Sequence, residues 1–343
     1  MVALNDVIES NKRIAESFPT GLVAVFVGGT SGVGEHTVKK FASRVPNSRV
    51  YIVGRSQEAA ERILDECRRL GPDSKFEFIK ADVSLMKVVD QVCKQIKSKE
   101  STINILFQTQ GSMAFTSTTA EGLPVATCLP IHSRQRFILN LLPLLQNASS
   151  LRRIVSVGAA TYESPIDLDN ISGQGFPLQK WRNQLSSCQS LLLQRLARQK
   201  LDVSFVHSVP GVVRGGIMRE VPADMGLGLR AIIAISGMLM PLIETPVEEC
   251  GERHLFLATS ARYPPAEGKA GVEGVSLGRN ISIARGLDAQ TGSGVYSLTS
   301  KGESAPPKVE NLLRQLEEQG TAVKVWDYVA ADFRRITGAE IGS

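Results

Sequence analysis

The stretch LVAVFVGGTSGVGEHTVKKFA, residues 22–42, decides the fold of this chain. An apolar run of strand length leads into a turn that contains Gly28, Gly32 and Gly34, and then into a segment with apolar residues at helical spacing. The first glycine permits a tight turn, the second lets the backbone approach a pyrophosphate, and the third allows close helix packing. Because the N–H groups at a helix start attract anions, this unit predicts a dinucleotide phosphate site.

Apolar runs of strand length alternate with helical segments along most of the chain. The runs lie at 22–27, 49–53, 76–79, 103–107, 153–157, 203–208 and 294–298, and the helical segments at 34–45, 56–70, 86–98, 128–146, 185–199 and 246–258. This alternation predicts an α/β fold, a single Rossmann-type doubly wound parallel sheet with helices on both faces. We expect an N-terminal helix in residues 1–20, the Rossmann-fold domain in 21–300 and a C-terminal helical extension in 301–343.

Composition and charge exclude several classes of function. The net charge of +5 is spread along the chain, which favours a phosphate-binding cleft and argues against a nucleic-acid partner. The five cysteines are far apart and outside metal-ligand spacing, which indicates a reducing, cytoplasmic location and no metal site. The longest apolar run, 231–243, is too short for an integral membrane span. We expect a buried or lid helix there, with peripheral membrane contact as the alternative.

Residues after the second and third strands are candidates for the rest of the dinucleotide site. Arg55 lies where an acidic residue would accept the ribose hydroxyls of NAD, and its guanidinium suits a 2′-phosphate instead. The sequence therefore predicts NADP(H) as the cofactor, with an ordinary solvated arginine as the alternative for Arg55. Asp82 lies where a carboxylate can accept a hydrogen bond from the adenine amino group, and a turn or helix-capping role is the alternative.

Together these motifs resemble those of the short-chain dehydrogenase/reductase family. The glycines match its T-G-x-x-x-G-x-G motif with Val27 in the place of the threonine, ADVS (81–84) matches its adenine-binding pair, and SVPGVVRGG (208–216) its P-G turn. The stretches at 131–145 and 152–170 resemble a fungal group associated with secondary-metabolite clusters. The resemblance implies a set of cofactor-binding residues: Gly28, Thr30, Ser31, Gly32, Val33, Gly34, Arg55, Asp82, Val83, Gln110, Gly111, Pro210 and Gly211.

The residues that carry the family's proton chemistry are altered in this chain. When the chain is aligned on residues 195–198, the Tyr and Lys of the family's Y-x-x-x-K motif fall on Arg182 and Ser186, and its catalytic Ser pair falls on Gly158 and Ala159. No tyrosine in the sequence is followed by a lysine four residues later. The phenol gives or takes a proton as hydride moves, and a guanidinium cannot do so because it does not deprotonate in proteins.

Three residues near the expected cleft are candidates for catalysis. His132 aligns with the family's structural Asn, and histidine is the residue type most often used as an acid or base near neutral pH; an ordinary helix residue is the alternative. Tyr162 follows the fifth strand, either within reach of the substrate or as an ordinary loop aromatic. Arg182 suits a carbonyl, enolate or carboxylate oxygen, with a surface arginine as the alternative.

These features favour an NADP(H)-dependent oxidoreductase that acts on a carbonyl or alcohol of a polyketide or terpenoid, with displaced acid/base residues. Two other functions stay open, a non-redox isomerase, cyclase or dehydratase on the same fold and a non-catalytic NADP sensor. The segment 214–244, which we expect to cover the pocket, is apolar and predicts an apolar small-molecule substrate. Relatives commonly pair through helices on the sheet faces, so the resemblance also allows a homodimer.

Overall fold

A single parallel sheet forms the centre of the molecule. The computed structural model describes residues 2–200, 202–213, 215, 244–267 and 274–339. Its strands are β1 (Val23–Val27), β2 (Arg49–Gly54), β3 (Lys75–Lys80), β4 (Ile105–Gln108), β5 (Arg153–Val157), β6 (Ser204–Ser208) and β7 (Val295–Leu298). They lie in the order β3-β2-β1-β4-β5-β6-β7, and each neighbouring pair is parallel. The predicted Rossmann-type sheet is confirmed.

Helices cover both faces of this sheet. They are α1 (Leu4–Lys12), α2 (Ile14–Ser17), α3 (Gly32–Arg44), α4 (Gln57–Leu70), α5 (Met86–Lys97), α6 (Val125–Cys128), α7 (Arg134–Gln146), α8 (Leu178–Gln199), α9 (Val247–Thr259), α10 (Pro307–Glu318) and α11 (Thr321–Thr337). A π-helical turn, Leu129–Ser133, joins α6 to α7. Because both faces are covered, every residue of β1, β5 and β6 is buried.

Two apolar clusters hold the layers to the sheet. Residues of α5, α7, α8, α10 and α11 share one cluster, and residues of α1, α3, α4 and α9 share the other. The two C-terminal helices therefore belong to the layer that packs on one face, where Leu313 and Val325 are fully buried. The apolar run 231–243 lies outside the described residues, and none of the described helices is long and apolar enough to cross a bilayer.

A buried ion pair fixes α7 between α5 and the end of α11. The Nε and Nη2 atoms of Arg136 donate to the two carboxylate oxygens of Asp90, each at 2.7 Å. Nη2 also donates to Thr337 Oγ1 at 3.0 Å, and Nη1 donates to the carbonyl of Ala339 at 2.9 Å. The Arg136 side chain is fully buried, so these contacts set the position of the helix that begins at Arg134.

We expect Asp90→Ala to lower the free energy of unfolding by about 3 kcal/mol, because it leaves the buried Arg136 charge without its carboxylate. Urea unfolding at unchanged m-value measures this loss. Asp65→Ala is the matched control, since it removes an exposed ion pair with Arg68 and should cost less than about 1 kcal/mol. Equal losses in the two variants would contradict the role given to Asp90.

Candidate active site

A cleft of about 860 Å³ opens beside the carboxyl ends of the strands. The strand order reverses between β1 and β4, and ligands of doubly wound sheets bind in the crevice at that point. Residues that follow β1 to β6 line the cleft, together with the first turns of α8. Part of its wall is apolar and is formed by Met113, Leu129, Leu178, Trp181 and Leu185.

The glycine turn after β1 forms one wall of the cleft. Gly28 has φ +84°, and a Cβ on it would lie 2.5 Å from Thr109 Oγ1. A Cβ on Gly34 would lie 2.4 Å from the Gly28 carbonyl oxygen. Both positions therefore require glycine, the first for its backbone angle and both for a close approach. This packing places the first residues of α3 at the cleft.

The structure brings most of the predicted cofactor-binding residues together. Those that line the cleft are Gly28, Thr30, Ser31, Gly32, Val33, Arg55, Asp82, Val83, Gln110, Gly111 and Pro210. Gly34, in the first turn of α3, and Gly211, which follows β6 with φ +79°, do not line it. Asp82 Oδ1 accepts hydrogen bonds from Ser84 N at 3.1 Å and Ser84 Oγ at 2.8 Å. Asp82 therefore stabilises a turn and also lines the cleft.

The structure places His132 away from the cleft. Its side chain is fully buried, its Nε2 lies 3.0 Å from Asp332 Oδ2 on α11, and its ring packs edge-on against Tyr328 and Phe333. His132 lies in the π-helical turn, where an extra residue rotates the side chains relative to a regular helix. An alignment that assumes regular α-helix therefore assigns the wrong face to this residue.

The other two candidates meet at the mouth of the cleft. The guanidinium carbon of Arg182 lies 4.3 Å from the centre of the Tyr162 ring, and Arg182 also donates to Asn183 Oδ1 at 3.1 Å. Arg182 lines the cleft, whereas Tyr162 is 45% exposed and does not. Ser186, one turn further along α8, lines the cleft and donates to the Ala159 carbonyl at 2.6 Å.

A buried arginine that the sequence analysis did not select lies at the floor of the cleft. Arg134 is 3% exposed, and its Nη2 donates to the Gln110 carbonyl at 2.9 Å. Among the described residues, its Nε has no hydrogen-bond acceptor and its guanidinium has no ion-pair partner. Burial lowers the pKa of Arg134 to about 9, so it stays charged at neutral pH.

His207 lies beside Arg134 and is a second cleft residue that the sequence pattern did not indicate. Its Nδ1 lies 2.9 Å from Ser190 Oγ, and Ser190 Oγ donates to Glu163 Oε1 at 2.8 Å. Since the serine gives its proton to the carboxylate, the histidine proton belongs on Nδ1 and Nε2 is left with a lone pair. Burial, and then the charge of Arg134, lowers the pKa of His207 to about 3, whereas burial raises the pKa of Glu163.

Gly158, the residue after β5, leaves the Arg134 and His207 side chains accessible from the cleft. A Cβ on Gly158 would lie 3.0 Å from His207 Nε2 and 3.5 Å from Arg134 Nη1. The two nitrogen atoms therefore face the same point, and all three residues line the cleft. One signal for His207 was available in the sequence, because it lies at the carboxyl end of a predicted parallel strand.

Comparisons with known proteins agree with this architecture. The family model described as short chain dehydrogenase matches residues 22–125. Oxidoreductase andH of Emericella variicolor is 33% identical over 99% of this chain and 99% of its own. Oxidoreductase AN1596 of Emericella nidulans is 36% identical over 96% and 97%. Short-chain dehydrogenase/reductase SAT2 of Stachybotrys chartarum is 27% identical over 90% and 91%.

Solved structures show the same fold at low sequence identity. The crystal structure of YwfH, an NADPH dependent reductase involved in bacilysin biosynthesis, has a TM-score of 0.53 and 15% identity over 70% of this chain and 91% of that chain. The KRED1-Pglu enzyme has a TM-score of 0.52 and 15% identity over 69% and 94%. At this identity, the likeness shows the fold alone.

We expect His207 to stay neutral well below the pH at which an exposed histidine titrates. Nitrogen NMR of histidine-labelled protein should show no titration of its signal near pH ~6.5, with the signal assigned through His207→Gln. Because the unfolded chain takes up the proton that folded His207 does not, acidification below about pH 6.5 should lower the free energy of unfolding.

The His207→Gln variant should lose this part of the pH dependence in urea unfolding at neutral and acidic pH. A His207 signal that titrates close to the value of exposed histidine would contradict the burial argument.

Proposed function

Because the chain belongs to the short-chain dehydrogenase/reductase family, we propose that it is an NADP(H)-dependent oxidoreductase that acts on a carbonyl or alcohol of an apolar small molecule. The observation that carries this proposal is the glycine turn, where a Cβ on Gly34 would lie 2.4 Å from the Gly28 carbonyl oxygen. Such a turn brings helix N–H groups close to a bound pyrophosphate without intervening side chains.

The residues of the cleft fit a dinucleotide along its whole length. The N–H groups of Gly32 and Val33, at the start of α3, and the hydroxyl groups of Thr30 and Ser31 are suited to the pyrophosphate. Arg55 lies exposed after β2 and suits a 2′-phosphate. The adenine end of the site is assigned to Asp82 and Val83, and the nicotinamide end to Gln110, Gly111 and Pro210.

When it is bound, the nicotinamide supplies or accepts the hydride, and the protein must manage the proton and the oxygen. Of the three catalytic candidates from the sequence, only Arg182 lines the cleft, and we assign it to the substrate at the mouth. His132 and Tyr162 have no part in this proposal, since neither lines the cleft. The apolar wall around Trp181 supports an apolar substrate, of polyketide or terpenoid kind.

A non-redox isomerase, cyclase or dehydratase is the second candidate. It is favoured by the replacement of the usual phenol and ammonium by Arg182 and Ser186. Neither relays a proton readily, because the guanidinium stays protonated and the serine hydroxyl already donates to Ala159. An isomerisation or water elimination requires no hydride, and the same cleft would then position the substrate.

Incubation of the purified protein with an extract of a strain that lacks it tests these functions. The extract is incubated without coenzyme, with NADPH and with NADP⁺, and product masses are compared. A product heavier by H₂ that forms only with NADPH, or lighter by H₂ that forms only with NADP⁺, supports the oxidoreductase. A product of unchanged mass, or lighter by one water, that forms without cofactor supports the second candidate. Tight coenzyme binding with no new product under any of these conditions is the result expected of an NADP sensor and would contradict both enzymes.

We expect Arg55→Ala to weaken NADPH binding about 10- to 100-fold, because a charge-assisted hydrogen bond to the 2′-phosphate is lost. NADH binding should change little, since NADH lacks that phosphate. Titration calorimetry with both coenzymes measures the two affinities. Arg69→Ala, at an exposed position on α4, is the matched control and should leave both unchanged. An equal loss for NADPH and NADH would exclude the 2′-phosphate contact.

A further inference from the structure

We propose that Arg134 and His207 bind the reacting oxygen of the substrate, and that its proton passes from His207 through Ser190 to Glu163. This assignment names the substrate group as a hydroxyl or enol, held by a cation on one side and a proton acceptor on the other. It rests on the proposed function, because the oxygen must lie in the cleft that takes the nicotinamide.

Arg134 is a buried cation to which the described residues supply no counter-charge. Arg136, on the next part of the same helix, is equally buried but forms two hydrogen bonds to Asp90. Arg153, also fully buried, donates to the carbonyl groups of Leu257 and Ser260. In the described part of the chain, Arg134 donates only to the Gln110 carbonyl. A buried charge without a counter-charge is costly, and an electron-rich ligand oxygen at the guanidinium would offset that cost.

The position of this ligand oxygen follows from Gly158. A Cβ on residue 158 would lie 3.0 Å from His207 Nε2 and 3.5 Å from Arg134 Nη1, so a side chain there would stand against both nitrogen atoms. Because residue 158 is glycine, a ligand oxygen that enters from the cleft can reach an N–H donor of Arg134 and the lone pair of His207. One oxygen atom that carries a hydrogen satisfies both groups, whereas a carbonyl oxygen satisfies only the donor.

Hydrogen bonds link His207 through Ser190 to a buried carboxylate, which can accept a proton. Ser190 Oγ lies between His207 Nδ1, at 2.9 Å, and Glu163 Oε1, at 2.8 Å. Ser297 Oγ, on β7, donates to the same Glu163 oxygen at 2.8 Å. Among the residues that the structure describes, the charged groups that face this series of hydrogen bonds are Arg134, toward His207, and Glu163 itself. Burial lowers the pKa of His207 and raises that of Glu163, so a transferred proton rests on the carboxylate.

In alcohol oxidation, the substrate O–H bond breaks and its proton binds to His207 Nε2. The Nδ1 proton moves to Ser190 Oγ, and the serine proton moves to the Glu163 carboxylate. A bound NADP⁺ would accept the electron pair of the substrate C–H bond as hydride, and the alcohol would thereby be oxidised to a carbonyl as NADP⁺ is reduced to NADPH. Arg134 stabilises the negative charge on the oxygen. Carbonyl reduction reverses each of these steps.

4-Nitrophenol tests this site without coenzyme, because its ionised form is coloured and its hydroxyl takes the place of the substrate hydroxyl. The phenol is titrated with the full-length protein at a pH below its own pKa, where the free phenol is colourless. We expect phenolate absorbance to appear on binding and to saturate with protein, since Arg134 stabilises the anion and Glu163 accepts the proton.

Three variants assign the effect to residues. Arg134→Met removes the cation at similar volume and should abolish the absorbance, with phenolate affinity about 10- to 100-fold lower. Glu163→Gln keeps the shape and removes the proton acceptor, so the phenol should still bind, shown by competition, but stay largely un-ionised. Arg69→Met, at an exposed position on α4 outside the cleft, is the matched control and should leave the absorbance in place.

Several results would overturn the proposal. They are no binding or no ionisation of 4-nitrophenol by the unmodified protein, undiminished absorbance in Arg134→Met, or loss of absorbance in Arg69→Met. If circular dichroism shows that Arg134→Met does not fold, Arg134→Lys is used instead. This variant keeps the charge and should retain part of the absorbance, and complete loss would contradict the proposal. Phenolate formation without any NADPH binding would refute the redox function and support this oxygen site. NADPH binding without phenolate formation would refute only the oxygen site.

Discussion

The approach of α3 to the end of β1 is the constraint on which the cleft depends. Gly34 lies so close to Gly28 that a Cβ would come within 2.4 Å of its carbonyl oxygen. Thr109 Oγ1 donates to that same oxygen at 3.0 Å, which joins the end of β4 to the turn. The start of α3 is therefore held at the point where the strand order reverses, and the other walls are built around it.

Buried polar side chains on β4, β5 and α8 hold the backbone of Arg134 in place beside the cleft. Gln108 Nε2 donates to the Arg134 carbonyl at 3.1 Å, Ser156 Oγ donates to Gln108 Oε1 at 3.1 Å, and Gln189 Nε2 donates to Ser156 Oγ at 3.1 Å. These groups lie on β4, β5 and α8 and are all buried. Buried polar groups that satisfy one another define a single arrangement, so the Arg134 backbone is fixed relative to the sheet. A fixed donor stabilises developing charge without reorganisation.

The sequence predicted those parts of the site that depend on local pattern. The glycine turn, the strand ends and Arg55 lie at positions set by their own strand and the turn after it, and the structure confirms the parallel sheet that carries them. His132 could not be oriented, because the π-helical turn at Leu129–Ser133 leaves no clear signal in a helical repeat. The link from Glu163 through Ser190 to His207 joins a loop, a helix and a strand that are distant in sequence, so spacing alone did not reveal it.

A proton relay of His207, Ser190 and Glu163 can replace a single phenol, because it moves the proton away from the positive charge of Arg134. Burial, and then the charge of Arg134, lowers the pKa of His207, so on its own His207 would be a weak base. The same positive charge favours ionisation of an oxygen bound against it, and a proton that moves on to Glu163 lies further from Arg134 than one held on Nε2. The repulsion between the guanidinium and the proton therefore falls as the proton moves from His207 to Glu163. The attraction between the guanidinium and the oxyanion is unchanged. On this argument Ser190 is required, since it is the hydroxyl that lies within hydrogen-bond distance of both His207 and Glu163.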